Sequence, residues 1–317
     1  MNPEIAVVVP TFQRSEKLLP LLTSLGRQSL STGRFEVIVV DDCSRDDTFE
    51  LAREEVTSLP YALTVLQTPV NSGPAVARNI GWQSSTAPLI AFLDDDCIPS
   101  RRWLQAGLEA FQEQPQTGVI QGRTHIPEGS SVDRLTDWFV WRQIDGPTPY
   151  FEGANIFYRR ASLEVTGGFD EEIGYHGEDC AAGWRVLEAG FRQGYCAEAS
   201  VEHPIEQRGF AWHIAMGLLE SRIVHCAAKH PGFRQSAFWR PWAYRREDPA
   251  LLAALFGLLV GLRFRPALLL ALPYLWWRRP SVRNLNFFRL CLQVPAVDAV
   301  RVAAHLRASL QFHVLVL

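Results

Sequence analysis

The chain has 317 residues, 47% hydrophobic and 21% charged, with a formal net charge of −3. That length is enough for two domains and a sizeable core, and the balance excludes a disordered chain, a collagen-like chain and a multi-span membrane protein. The near-neutral total argues against nucleic acid as a partner.

The first third alternates strand and helix signals. Ile5-Ala6-Val7-Val8-Val9 is a short apolar run closed by Pro10, as a buried strand should be. Ser15 opens a helical pattern carrying Leu18, Leu19, Leu22 and Leu25. Strands are expected at 35–40, 63–66 and 89–93, and helices at 46–56, 74–82 and about 101–112. Continuous Val/Ile runs indicate strands covered on both faces, and alternation with helices indicates a parallel α/β sheet. Ligands on such sheets bind beyond the carboxyl ends of the strands. Residues 118–203 mix short strands (118–124, 154–158) with helices (132–143, 178–189), and a further short strand precedes His203.

The last third changes character. An amphipathic helix is expected over 210–229, and apolar runs follow at 251–262 and 267–277, separated by Arg263, Arg265 and Pro266. From 251 to 317 there are eight Arg and one acid, a net +7 that leaves −10 for the remainder. Each apolar run is shorter than the ~20 residues of a spanning helix. Joining them would place two Arg near the bilayer centre at roughly 2.5–3.5 kcal/mol each. The pattern therefore reads as a helical hairpin dipping into one leaflet, with Arg at the head groups; the alternative is a pair of buried core helices. The expected division is 1–205 for a catalytic domain and 206–317 for a helical, apolar-basic, membrane-associating extension.

The six Cys form no CxxC pair, and Met1-Asn2-Pro3-Glu4 lacks the features of a signal peptide. Unpaired thiols and a cytoplasmic protein, peripheral or monotopic at the inner membrane face, are expected.

Asp94-Asp95-Asp96 is the sharpest local feature. Three successive carboxylates repel one another unless a cation sits between them, and hard Mg²⁺ or Mn²⁺ prefers such oxygen ligands. The first and third can turn to one site while the middle one points away. The alternative is a solvated loop capping the next helix. Asp41-Asp42 closes the second strand, and Asn71-Ser72-Gly73-Pro74 with Ala77-Arg78-Asn79 adds a turn and a cation. There is no Gly-x-Gly-x-x-Gly after the first strand, no P-loop lysine, no His-Glu-x-x-His and no Gly-x-Ser-x-Gly.

Taken in order, Val9-Pro10-Thr11-Phe12, Val39-Val40-Asp41-Asp42, Asn71-Ser72-Gly73 with Ala77-Arg78-Asn79, Phe92-Leu93-Asp94-Asp95-Asp96 and Gly177-Glu178-Asp179 resemble family 2 glycosyltransferases of the GT-A fold. The resemblance covers about residues 4–205. It implies a nucleotide-diphosphate sugar donor bound around Pro10, Thr11, Arg14, Asp41, Asp42, Asn71, Gly73, Arg78, Asp94 and Asp95, with Asp42 near the base. It implies a DxD element in Asp94 and Asp96, which with His203 would hold Mg²⁺ or Mn²⁺. His203 has a structural role as its alternative. It implies a general base at Asp179, supported by Glu178, and a donor-sugar contact at Asn155. Gly167-Gly168-Phe169-Asp170 resembles a segment lining the same region, or forms a turn.

The reading is an inverting, metal-dependent glycosyltransferase moving one sugar, from a UDP-sugar, to a lipid-linked or envelope glycan acceptor. A Gln-x-x-Arg-Trp motif is absent, which favours a single transfer. A nucleotidyltransferase, or a silent sugar-nucleotide or membrane-binding module, are the other readings.

Overall fold

The structure, a computed structural model, describes residues 2–130, 139–278 and 287–317. The chain divides into two compact units. The first contains Met1–Ser130 and Trp141–Glu206, and the second centres on Gln207–Leu317.

The first unit is built on β1 (Ile5–Thr11), α1 (Ser15–Leu25), β2 (Phe35–Asp41), α2 (Thr48–Glu54), β3 (Ala62–Gln67), α3 (Pro74–Gln83), β4 (Leu89–Leu93), β5 (Ile98–Pro99), α4 (Trp103–Glu113) and β6 (Thr117–His125). β7 (Phe139–Val140) belongs to the second unit, and after it come β8 (Asn155–Arg159), α5 (Arg160–Thr166), α6 (Glu178–Glu188), β9 (Arg192–Glu202) and β10 (Glu206–Gln207). Eight strands form one sheet in the order β3-β2-β1-β4-β8-β6-β9-β5. Strands β1 to β4 run parallel, with Ile5 opposite Phe35 and Leu89. The parallel arrangement expected for the first third holds for these four strands, and beyond them β8 is antiparallel to both β4 and β6.

Alternate residues of β1 supply two separate cores. Val7 and Val9 join Leu18, Leu22 and Leu104 on one face of the sheet. Ala6 and Val8 join Ala75, Trp82 and Val186 on the other. This is why the strand reads as continuously apolar.

The helix expected over 132–143 lies outside the described residues up to 138; beyond them Phe139–Val140 is a short strand. Strand β9 is much longer than the short strand expected before His203. Gly167-Gly168 forms the turn ending α5, with the Gly168 N–H donating to the Leu163 carbonyl at 2.9 Å.

In the second unit the single helix expected over 210–229 is two, α7 (Phe210–Leu219) and α8 (Ser221–Lys229). The break falls at Glu220, whose carboxylate Arg245 holds at 3.1 Å. Then come α9 (Pro231–Ala237) and α10 (Glu247–Gly261), a 3₁₀ turn at Arg265–Ala271, α11 (Leu272–Trp277) and α12 (Phe287–Phe312). Pro266 and Pro273 keep the second apolar run from forming one regular helix.

An ionic cluster ties α10, α11 and α12 together. Arg301 donates to Asp248 at 2.7 Å and to Asp298 at 2.9 Å, and Asp298 also accepts from Tyr274 and Arg278. Two of the eight tail Arg, Arg278 and Arg301, are thus engaged internally. Arg263, Arg265 and Arg307 are exposed, while Arg279 and Arg283 lie outside the described residues. Among the described residues no helix is long and apolar enough to cross a membrane. The five described Cys are free thiols.

Candidate active site

The parallel strands bring their carboxyl ends to one side of the sheet, and the predicted residues collect there. β2 ends in the fully buried Asp41. Its Oδ2 accepts from the Ser44 N–H (3.0 Å) and from Gln67 (2.9 Å), whereas Oδ1 has no partner. Asp42, expected near a base, is spent on the protein itself. Its carboxylate accepts from Thr68 Oγ1 (2.9 Å), Ser72 N (2.8 Å), Asn71 Nδ2 (3.1 Å) and Gly73 N (2.7 Å). Asp42 therefore shapes the 71–73 loop, and the Asn71 amide is committed to it. Gly73 has φ +90°, a left-handed conformation that favours glycine, and Pro74 then starts α3.

The acid triplet turns three ways. Asp94 is about one-third exposed and accepts from Arg78 at 3.2 Å. Asp95, expected to point away from the site, is buried and accepts from the Thr11 hydroxyl at 2.7 Å, with Arg14 at 3.7 Å. Burial pushes its carboxyl up to about 7 despite these two partners. Pro10 precedes Thr11 in β1, opposite Val40.

Asp96 faces His203, with Oδ1 3.9 Å from Nε2. The His203 Nδ1 lies 2.8 Å from the Pro204 carbonyl oxygen, which can only accept, so Nδ1 donates there and Nε2 is the nitrogen turned toward Asp96. Asp96, Cys97 and His203 are the cluster of ligand atoms, within 4.8 Å of one another, found among the described residues. Asp94 is not part of it, because Arg78 holds its carboxylate. Burial, then the three neighbouring Asp, raise the Cys97 thiol well above its ordinary value, so it stays neutral. A carboxylate and an imidazole nitrogen turned toward each other fit a divalent cation of the Mg²⁺ or Mn²⁺ type. Arg14 and Lys17 lie 3.9 and 3.7 Å from Asp96, and both contact Glu206.

The other wall is α6, whose first turn carries Glu178 and Asp179, where the helix dipole favours acids. Glu178 is buried and accepts from Arg78 at 2.8 Å, with Oε2 unpartnered. Burial, then Asp179, raise its carboxyl to about 7, with Arg78 opposing. Asp179 is half-buried; its Oδ2 accepts from the Gly153 N–H at 2.9 Å. Burial works against the Arg78 charge, but Asp94, Glu178 and Asp179 outweigh it and raise its pKa. The guanidinium needs the space at Gly153, where a Cβ would come within 2.6 Å of Nη2.

Glu178 and Asp95 set a pH dependence. Between their ordinary values and about 7 the folded chain holds protons that the unfolded chain has released. Stability contributed by these two groups therefore falls as pH rises through that window. Thermal melts should show the slope flattened in Asp95→Asn; an unchanged slope refutes the assignment.

Asn155, expected at a sugar hydroxyl, is buried and saturated. Its carbonyl accepts from Trp103 at 2.8 Å, and its amide donates to the Arg123 and Ala199 carbonyls, each at 2.8 Å. It is a structural bracket between β8, α4 and β9. Asn155→Ala should cost about 2–3 kcal/mol, leaving buried polar groups unpaired. Donor KM should not move, and a selective rise in KM at unchanged melting would restore the sugar contact.

Lys17, Glu206 and Cys97 went unnoticed in the sequence. Lys17 follows Arg14, the residue just before α1, by three positions, and Cys97 directly follows the triplet. Glu206 carries no local signal.

Comparisons with known proteins bear on the family and the fold. The chain is 28% identical over 214 residues to glycosyltransferase AglE of Haloferax volcanii, covering 65% of this chain and 69% of that protein. It is 29% identical over 238 residues to the pre-mycofactocin glycosyltransferase of Mycobacterium tuberculosis, covering 72% of this chain but 48% of that protein, so it spans about half of that relative. A mannosyltransferase, PcManGT from Pyrobaculum calidifontis, solved with GDP-Man and Mn²⁺, shares the fold with a TM-score of 0.62 at 21% identity, over 99% of this chain and 88% of its own. The family described as Glycosyl transferase family 2 matches residues 6–167, half of the chain. The chain therefore belongs to glycosyl transferase family 2, with an α/β fold of the GT-A type.

Proposed function

We propose that this chain moves a single sugar from a nucleotide-diphosphate donor, a UDP-sugar, to a hydroxyl of a lipid-linked or envelope glycan, with inversion at the anomeric carbon. The observation that carries this reading is the ion-pair chain Asp94–Arg78–Glu178 with Asp179 beside it. One buried guanidinium joins the acids after β4 to the first turn of α6. The donor and acceptor sides of a displacement then share one rigid support.

On this reading Pro10, Thr11, Arg14, Asp41 and the loop held by Asp42 line the nucleotide pocket. Asp94, the more exposed acid, accepts from ribose hydroxyls. Asp96 and His203 would hold Mg²⁺ or Mn²⁺. Such a cation, when bound, neutralises charge on the departing diphosphate. Asp179 takes the proton of the acceptor hydroxyl as that oxygen attacks the anomeric carbon opposite the leaving group. Glu178, clamped by Arg78, holds α6 in place and is too enclosed to be the base. The protein would work at the inner face of a membrane, as a peripheral or monotopic protein, where its acceptor is presented.

The test is a thermal-shift and turnover screen of UDP- and GDP-sugars with Mn²⁺. A folded protein that neither binds nor turns over any nucleotide sugar overturns the proposal. A GDP-sugar preference, as in the ligand of the Pyrobaculum neighbour, changes the donor alone. Asp96→Asn and His203→Ala should each weaken Mn²⁺ binding about tenfold or more by calorimetry. Unchanged affinity in both would remove these residues from the metal site.

A further inference from the structure

The second unit carries an apolar surface that its own packing does not use. On α10, Ala250, Leu251, Ala254, Gly257 and Gly261 face inward. Gly257 and Gly261 let the 265–271 turn pack directly on the helix, where any Cβ would strike Ala267, Leu270 or Leu268. The opposite face holds Leu255, Leu258, Leu259 and Leu262, at i, i+3, i+4 and i+7, with Leu259 70% and Leu262 88% exposed. The returning leg exposes Leu269, Leu272 and Leu275. Isolated exposed leucines are ordinary, but two adjoining legs of a hairpin that both face outward in this way mark an interaction surface.

Charge decides the occupant. No carboxylate lies between Asp248 and Asp298, and the turn between the legs presents Arg263 and Arg265, both exposed. A second copy of the chain would bring the same carboxylate-free, Arg-bearing face against itself. An anionic lipid surface offers hydrocarbon for the leucines and phosphate for the guanidinium groups. The turn also decides the orientation. Inserted end-on, the hairpin would carry both Arg deepest into the hydrocarbon, where charge is most costly.

We propose that the 247–277 hairpin lies in the plane of an anionic bilayer surface. The leucines of both legs enter the acyl boundary, and Arg263 and Arg265 reach the lipid phosphates. This rests on the reading of the second unit as membrane-associated and is independent of the reaction assigned to the first.

The experiment is co-sedimentation of the full chain with phosphatidylcholine vesicles, with and without about one third phosphatidylglycerol. Binding should be at least about tenfold tighter to the anionic vesicles, and R263Q/R265Q should abolish that difference. Leu255→Glu, far from the turn, and Leu262→Glu, beside it, should each weaken binding about tenfold or more. Leu→Ser at the same positions should give the same ranking without an added charge, and a melting curve checks each fold. If only Leu262 matters, the hairpin inserts end-on and the in-plane proposal fails. If neither matters, the surface does not bind lipid. If the variants instead abolish self-association in vesicle-free buffer, the occupant is a second copy. Nucleotide-sugar turnover in vesicle-free buffer should survive Leu255→Glu. Its absence in the wild type would bring down the reaction reading and leave the lipid result standing.

Discussion

Asp179→Asn is expected to lower kcat by about 10²–10⁴-fold with donor affinity unchanged. The substitution is nearly isosteric, and the Asn carbonyl can still accept from the Gly153 N–H that now holds Oδ2 at 2.9 Å. What it cannot do is take a proton from an attacking hydroxyl. The loss should therefore appear in the chemical step of a single-turnover experiment. Stability should fall only by the 0.3–1 kcal/mol or so that a first-turn acid gains from the helix dipole. Glu178→Gln should behave differently. Glu178 is buried and faces Arg78, so losing its charge disturbs the support of α6 before it disturbs proton transfer. An Asp179→Asn enzyme that keeps its kcat within a few-fold of wild type would remove Asp179 as the base.

Much of this site was legible in the sequence because its residues stand at the ends of unmistakable strands. Residues 37–40 and 89–93, which precede Asp41 and Asp94, are wholly buried, so the polar residues ending these runs had to lie where the sheet opens. Which atom each carboxylate meets was not legible. Asp42 and Asp41 are adjacent and chemically identical, yet the first organises a loop thirty residues away while the second keeps an unpartnered oxygen. Asn155 looked available for a sugar because nothing local reveals that Trp103, fifty-two residues earlier, already donates to it. Asp95 looked like the passive member of its triplet, although the partner that buries it is Thr11 at the end of β1. Among the elements, β9 was underestimated because its half-exposed, polar residues lack a clean alternation. Helix α12 was missed because Pro295 and scattered Arg interrupt its apolar period. For Asp42, Asn155 and Asp95 the deciding contact is distant in sequence, and periodicity carries no information about it.

Arg78→Met is expected to destabilise the first unit by about 3–5 kcal/mol, the usual consequence of leaving one partner of a buried ion pair behind. Arg78 is 5% exposed and joins Glu178 at 2.8 Å to Asp94 at 3.2 Å. Without it, Glu178 stays enclosed beside Asp179 with no opposing charge. Its carboxyl, already raised to about 7, should rise further and hold its proton in the folded state. The defect should therefore be greatest at alkaline pH and relieved as pH falls toward the ordinary carboxylate range, because protonation removes the unpaired charge. Melting curves should show a fall of roughly 10 °C or more at neutral pH. Arg78→Lys should rescue little, since a single ammonium cannot span both acids as the planar fork does. The decisive variant is Arg78→Met with Glu178→Gln. It carries no buried charge, so it should recover much of the lost stability while Asp94 and α6 remain uncoupled. A coupling energy near zero in that double-mutant cycle would mean that the pair contributes nothing specific. Recovered stability together with a persistent loss of turnover would separate the two duties of this guanidinium, keeping a buried acid paired and holding the two walls of the site in register.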